Sequence, residues 1–366
     1  MTTSRRSTHA VLAALVVSTG VWSACGSSGP PSAVSPSTDG GDAIVDAGSD
    51  GAAQDLGSTL AASALTTCAR FNARTCCWGG ALVNPTVVPL AAAPTDIAVL
   101  GGSACAVVAG EVWCWPFAAK TAPSRLNLGG TARVARITAG GGHACALRQD
   151  DTVACWGVDT FGQVGNGRFA QTVASPTDVP NLTDVAEIAA GEYHTCARRR
   201  SGSVACWGRG FGTAPCAGSS NVCSAAPVEI SLPTPAIHLS AGGLETCAQT
   251  ADGTVYCWLV RAGDATTPPT VAAPLAGAES LHPGYGLSCA IPHNHHPVCW
   301  GGPNHRDYTD LLFPDGIIDT ASGWYHTCGR FEDGSVACIG QNQDHQIGDG
   351  TTTYAPVPGR PIRCGS

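Results

Sequence analysis

Pairs of cysteines recur along this chain at a nearly constant spacing. Within a pair the cysteines are nine or ten residues apart, and Trp follows the second cysteine in six pairs of seven. Between them, apolar and polar residues alternate around turn signals such as Asp252-Gly253 and Asp333-Gly334. This pattern predicts a β-hairpin whose facing Cβ atoms lie about 4.5–5.5 Å apart, close to disulfide range. We therefore predict a cross-strand disulfide in every repeat: Cys68 with Cys77, Cys105 with Cys114, Cys145 with Cys155, Cys196 with Cys206, Cys247 with Cys257, Cys289 with Cys299, and Cys328 with Cys338.

The period of the repeat indicates the class of architecture. The second cysteines follow one another at intervals of 37 to 51 residues, which is typical of a propeller or a solenoid. Zinc is the competing explanation for so many cysteines, but zinc sites use much shorter spacings between paired ligands. We therefore expect disulfides and no metal.

The remaining cysteines of the total of 19 suggest further bridges. Cys216 and Cys223 share one loop and are expected to pair with each other. Cys76 lies in the first repeat and Cys364 lies two residues from the chain end. A closed ring would bring these regions together, so we hypothesise a Cys76–Cys364 bridge that clasps the ends.

The N-terminal region predicts export. Arg5 and Arg6 precede a short apolar run over residues 10–17, and small residues lead to Cys25, as in a secretory signal. Trp22-Ser-Ala-Cys25 resembles a bacterial lipobox, although Trp22 stands where Leu is usual. The resemblance implies lipidation of Cys25, with ordinary export as the alternative. Residues 26–56 are rich in Ser, Gly, Pro, Ala and Asp and predict a disordered tether.

These features predict that the protein is located outside the cytoplasm. We expect an exported lipoprotein of the outer membrane or cell surface, or otherwise a periplasmic or secreted protein. The membrane would be reached only through the lipid anchor.

The repeats resemble those of the regulator-of-chromosome-condensation family. Its N-x-x-G-Q-L-G-x-G element is matched by residues 159–167 and 342–350, and the cysteine-rich form is similar to that of secreted bacterial members. The resemblance implies an all-β, seven-bladed propeller over residues 57–366 with four-stranded blades. It also implies ring closure by strands from both chain ends, with residues 354–362 completing the blade begun by residues 60–78.

Aromatic and imidazole side chains recur within the repeats. The tryptophans after the second cysteines are interpreted as packing between blades. His143, His194 and His326 each lie two residues before a cysteine, and we interpret them as hydrogen-bonding to neighbouring backbone. His293, His295 and His296 could bind a transition metal opportunistically, but an exposed polar turn is the favoured interpretation. No cofactor is expected.

Charge and motifs restrict the function. The net charge of −8 argues against nucleic-acid binding, and the nucleotide-exchange role of eukaryotic relatives is not expected to transfer. No G-x-S-x-G, H-E-x-x-H or P-loop motif is present, which favours a non-catalytic protein. We expect a monomer that binds another macromolecule, most simply a protein, through the disulfide-bearing insertion, with Arg209, Phe211 and Asn221 as contacts.

Two other functions stay open. A secreted enzyme inhibitor would be favoured by exposed aromatic residues concentrated on one loop face. A polysaccharide-binding or polysaccharide-processing propeller would be favoured by two carboxylates converging in the central channel.

Overall fold

The structure is a computed structural model. It describes residues 59–118, 121–216, 222–260, 268–284, 287–292, 296–301, 307–310 and 313–364. The predicted signal segment, Cys25, the tether, Asn221, His293 and His295 lie outside these residues.

Short β-strands make up nearly all of the regular structure. The first four sheets in chain order are β1 Leu60–Ser63, β2 Thr66–Phe71, β3 Arg74–Gly79 and β4 Leu82–Val88; β5 Asp96–Leu100, β6 Ser103–Val108, β7 Glu111–Pro116 and β8 Ser124–Leu126; β9 Val134–Ala139, β10 His143–Arg148, β11 Val153–Val158 and β12 Thr172–Asp178; β13 Val185–Ala190, β14 His194–Arg199, β15 Val204–Pro215 and β16 Val222–Ile230. The remaining three are β17 Ala236–Gly242, β18 Glu245–Thr250, β19 Val255–Leu259 and β20 Thr270–Val271; β21 Ala278–His282, β22 Leu287–Pro292, β23 Val298–Gly301 and β24 Asp307–Asp310; β25 Ile317–Ser322, β26 His326–Phe331 and β27 Val336–Gly340.

These strands form seven antiparallel sheets, numbered here as blades 1 to 7 in chain order. Six blades have four strands and blade 7 has three. The first strand of each blade lies beside the first strands of its neighbours, and β1 contacts both β5 and β25, which closes the ring. The predicted all-β, seven-bladed propeller is confirmed. Where the structure describes the chain, no helix is long and apolar enough to cross a membrane.

Each blade carries the predicted hairpin disulfide. The paired cysteines face one another in register on the second and third strands, for example Cys196 opposite Cys206 and Cys68 opposite Cys77. Their Cα atoms lie 4.0 to 4.1 Å apart in all seven hairpins. The register of each hairpin therefore brings its two sulfurs together, and no contact with other parts of the chain is needed for this.

Two further bridges join cysteines outside the hairpin pattern. Cys216 and Cys223 are bonded across the tip of the long β15–β16 hairpin. Cys76 of blade 1 is bonded to Cys364, the last residue that the structure describes. Both connections are those that the sequence predicted.

Tryptophan side chains fill the seams between blades, as predicted. Trp207 of blade 4 packs with Val164, in the β11–β12 loop of blade 3, and with Leu182, which follows that blade. Trp258 of blade 5 likewise packs against Val204 and Leu239, and Trp78 joins blade 1 to blade 7. Trp78, Trp207, Trp258 and Trp300 are almost completely buried. The apolar core is therefore a ring of similar clusters, one at each seam.

Ring closure differs from the expectation drawn from the family resemblance. Blade 1 is made entirely of N-terminal strands, and residues of the tail pair with β27 of blade 7 instead. Only isolated bridges form, Ile362 with Val336 and Ala355 with Gly340. Pro356, Pro358 and Pro361 have no N–H to donate, so the tail cannot form a continuous fourth strand.

Candidate functional site

The recurrent histidines connect adjacent blades. Nε2 of His143 lies 2.8 Å from the Thr195 hydroxyl, and Nε2 of His194 lies 2.6 Å from the Thr246 hydroxyl. His326 makes the same contact with Thr67 across the seam between blades 7 and 1, at 2.8 Å. The expected partner, neighbouring backbone, was therefore wrong: the contact is a side-chain latch between blades. Burial lowers the pKa of His194 to about 3, so the ring is neutral and structural.

A loop after the third strand reinforces this latch. The Gln163 carbonyl accepts hydrogen bonds from both the Thr195 hydroxyl and the Trp207 indole N–H, each at 2.9 Å. Because the Thr195 hydroxyl donates to Gln163, its oxygen is left to accept from His143. The equivalent carbonyl of Gln346 accepts from the Trp78 indole at 3.0 Å. The loops that carry the repeat motif are therefore inter-blade connectors.

Blade 5 replaces the latch histidine with a carboxyl group. Glu245 accepts hydrogen bonds from the Ser288 hydroxyl and the Trp300 indole, at 3.0 and 2.8 Å. Burial raises the pKa of Glu245 to about 7. Among the described residues, Glu245 groups with Cys247 and Cys257 as potential metal ligands. The two sulfurs are bonded to each other, so this group does not offer a thiolate site.

The first strands surround a polar cavity of about 710 Å³ at one end of the propeller axis. Equivalent positions on blades 2, 3, 4, 5 and 7 carry Asp96, Arg136, Glu187, His238 and Asp319. Internal contacts engage two of these acids. Asp96 accepts the N–H of Ile137 at 2.8 Å, and Glu187 accepts the N–H of Leu239 and pairs with Arg198, each at 2.9 Å.

Asp319 is a further acid of this cavity whose pKa is shifted strongly. Burial, with a smaller contribution from Asp96, raises its pKa to about 7, against the opposing effect of Arg330. His282 lies 3.4 Å from Asp319, and burial lowers the pKa of His282 to about 4. Asp96 and Glu187 are therefore engaged in contacts that hold neighbouring strands together.

Further along the same strands the axis narrows because backbones touch. A Cβ on Gly140 would collide with the Gly191 carbonyl, and one on Gly242 would collide with the Pro283 carbonyl. The Gly141 N–H donates to the Glu192 carbonyl at 3.2 Å. Glycine is therefore required where neighbouring blades meet around the axis.

The face at this narrow end presents aromatic side chains. The Arg209 guanidinium lies over the rings of Phe161 and Tyr193, 5.5 and 5.3 Å from their centroids. Trp324 and Tyr325 occupy the equivalent loop of blade 7, with 37% and 49% of their surface exposed. We call the surface formed by Phe161, Tyr193, Arg209, Trp324 and Tyr325 the aromatic face. Of these residues only Arg209 was predicted from the sequence, although the Gly-x-Tyr-His segments that contain Tyr193 and Tyr325 recur in it.

The three residues predicted as partner contacts differ in where the structure places them. Phe211 is only 2% exposed and packs beside Leu239 and Trp258 between blades 4 and 5, so its prediction as a surface contact was wrong. The reason is that β15 continues through Phe211 and turns its side chain into the seam. Arg209 is half-buried within the aromatic face, and Asn221 lies outside the described residues.

Comparison with known families agrees with the geometry. Models of the regulator of chromosome condensation (RCC1) repeat match residues 150–198, 134–163 and 317–346. The ultraviolet-B receptor UVR8 of Arabidopsis thaliana is 27% identical over 272 residues, covering 65% of this chain and 58% of the receptor. The mouse E3 ubiquitin-protein ligase HERC2 is 27% identical over 285 residues, covering 65% of this chain and 6% of the ligase.

Solved structures share the fold. Human WBSCR16 superposes with a TM-score of 0.65 at 15% identity, covering 77% of this chain and 84% of that protein. The ectodomain of the receptor kinase CR4 from Physcomitrella patens gives 0.52 at 21% identity, covering 77% and 73%. The repeat matches and the seven blades together show that the chain contains RCC1 repeats and folds as a seven-bladed propeller.

Proposed function

We propose that this protein is an exported lipoprotein whose propeller binds a protein partner through the aromatic face and performs no catalysis itself. The observation that carries the proposal is the cluster of Phe161, Tyr193 and Arg209, together with the exposed Trp324 and Tyr325 in the equivalent loop of blade 7. Tyr, Trp, Phe and Arg are the residues enriched at protein interfaces.

The contrast with the opposite face supports this choice. There the hairpin tips carry Asp150, Asp252 and Asp333, each of which accepts the backbone N–H two residues later. Hydrogen bonds from the side chains of Thr152, Thr250 and Ser335, together with these backbone contacts, lower the pKa values of the three exposed carboxyl groups and keep the tips charged and hydrated. A partner gains more from burying aromatic surface than from dehydrating such turns.

The proposed location rests on the sequence and on the cysteines. Nine disulfides fit an oxidising compartment outside the cytoplasm. The lipid on Cys25 would hold the protein at a membrane, and residues 26–56 would let the propeller reach its partner as a monomer.

A secreted enzyme inhibitor is the second candidate. The same concentration of aromatic side chains on one loop face favours it, because such a surface can cover the entrance of an active site. In that case the captured partner would be a hydrolase that loses activity when bound.

Partner capture with matched variants tests the proposal. The oxidised full chain would be immobilised, partners from the surrounding cell envelope identified, and each affinity measured. We expect Tyr325→Ser and Arg209→Ala to weaken binding at least tenfold, as loss of central interface residues commonly does. Val271→Ser, which changes a 58%-exposed residue of the outer strand of blade 5, should leave affinity unchanged. Equal binding by all three variants would reject the aromatic face.

A further inference from the structure

A narrow pocket opens on the aromatic face at the propeller axis. Its volume is about 90 Å³, and six blades contribute to its wall. The lining is almost entirely alanine, glycine and serine, with Glu192, Pro283 and Trp324 as the exceptions. We call it the axial pocket. Its width suits a slender, unbranched side chain.

Glu192 gives this pocket its charge. Of the residues described in its wall, Glu192 is the only one that ionises. The residue is 8% exposed. The Tyr193 side chain hydrogen-bonds to its carboxyl group, and Oε2 has no hydrogen-bond partner among the described residues. A Cβ on Gly141 would lie 2.8 Å from Cγ of Glu192, so a glycine there makes room for the carboxylate.

The surrounding groups favour a cation over an anion. The N–H groups of Gly141 and Glu192 are already used in bonds to the next blade's carbonyls. Trp324 also lines the pocket, and the faces of indole rings attract cations. Arg209 also interacts electrostatically with the Glu192 carboxylate, but Arg209 is absent from the pocket wall.

We propose that the axial pocket receives the side chain of a lysine presented by the protein partner, with its ammonium group against Glu192 and its methylene chain along the small residues. This inference rests on the proposed protein-binding function and names the chemistry of its central contact. Lysine fits better than arginine, because its compact ammonium needs one carboxylate whereas a planar guanidinium needs a wider, bidentate site.

A lysine analogue tests the pocket without the partner. Nα-acetyl-lysine methylamide would be titrated into the isotopically labelled full chain while the indole N–H resonance of Trp324 is followed by NMR. We expect a saturable shift, at least tenfold weaker with Glu192→Gln. The uncharged analogue Nα-acetyl-norleucine methylamide should give no saturable shift over the same range. Glu229→Gln, which removes an acid from a surface ion pair with Arg199, should not alter the lysine response.

A second variant guards against indirect effects of changing Glu192. Ala64→Leu places a larger side chain in the pocket wall and retains the carboxylate, so it should also block the lysine analogue. Equal shifts with the lysine and norleucine analogues, or binding that survives both variants, would overturn the inference.

Partner binding separates this inference from the proposed function. If Tyr325→Ser abolishes partner binding but Glu192→Gln does not, the aromatic face stands and the lysine contact is rejected. If neither variant affects partner binding, the proposed binding face itself is rejected.

Discussion

Single buried polar side chains decide how neighbouring blades are joined. Asn342 shows the complete arrangement: its Oδ1 accepts the N–H of Ile347, while Nδ2 donates to Asp349 and Thr351. Asp159 occupies the equivalent position in blade 3, and its Oδ1 accepts the N–H of Val164 at 2.9 Å. Its second oxygen has no hydrogen-bond partner in the described part of the chain. At this position the loop of blade 7 therefore has a neutral amide that donates hydrogen bonds, whereas the loop of blade 3 has a carboxyl group.

Asp159→Asn should stabilise the protein in a pH-dependent way. Burial raises the folded-state pKa of Asp159 from 3.8 to about 6, so its ionisation progressively opposes folding as pH rises through this interval. We expect a gain of about 1 kcal/mol in unfolding free energy at pH 8, and a much smaller gain at about pH 3, below both pKa values, where the acid is mostly protonated in the folded and unfolded states. Calorimetric melts at the two pH values measure the difference. Asp344→Asn, at an exposed position, is the control, and a gain independent of pH would contradict this explanation.

Secondary-structure elements differ in how far the sequence alone could specify them. The hairpins were predictable because their cysteines, turns and tryptophans lie within about a dozen residues of one another. The pairing of the C-terminal tail was predicted incorrectly, because a segment with three prolines has no strand pattern that indicates which strand it lies beside. Phe211 was misassigned because an insertion that extends a strand resembles a loop in sequence. The histidine latches reach residues about 50 positions away, or 259 across the closing seam, so local pattern could not reveal their threonine partners.

Thr246→Val tests whether the latch stabilises the seam between blades 4 and 5. Valine preserves the shape of threonine but removes the hydroxyl that lies 2.6 Å from Nε2 of His194. Since this leaves a buried imidazole nitrogen without its partner, we expect a loss of about 1–3 kcal/mol in unfolding free energy. Denaturant titration measures the loss.

The same substitution at Thr320 supplies a matched control. Thr320 is fully buried, but its hydroxyl has no hydrogen-bond partner among the residues described. Thr320→Val should therefore be neutral or stabilising. Equal destabilisation at the two positions would show that the threonine hydroxyl of the latch contributes nothing specific.

At the scale of the whole molecule, blade 7 is the weak point of the ring. It has three regular strands, and its tail is held by two isolated bridges and by the bond from Cys364 to Cys76. Arg330 strengthens the same seam by donating to the carbonyls of Thr59 and Arg70, at 2.7 and 2.9 Å. The ring is therefore closed by a disulfide, by hydrogen bonds from Arg330 to backbone carbonyls and by apolar packing between blades 7 and 1, and the two chain ends do not share a blade.

Removing the clasp should destabilise the propeller strongly. Cys76 and Cys364 are 288 residues apart, so the bond restricts the unfolded chain over almost the whole domain. We expect the double variant Cys76→Ala/Cys364→Ser to lose about 3–5 kcal/mol, within the range for long loops. Cys216→Ser/Cys223→Ser opens a bridge of separation 7 and should cost less. Thermal melts under non-reducing conditions rank the two, and a larger loss for the short bridge would refute the assignment of the clasp.

The Cys76–Cys364 bond also changes what a single break in the backbone can do. Together with the backbone between these two cysteines, which are 288 residues apart, the bond forms a closed covalent ring. A protease that nicks one exposed turn merely opens this ring, and both sides of the cut stay attached. Detaching a segment requires two cuts that no other disulfide spans, so the closed ring makes loss of a segment by proteolysis a rarer event.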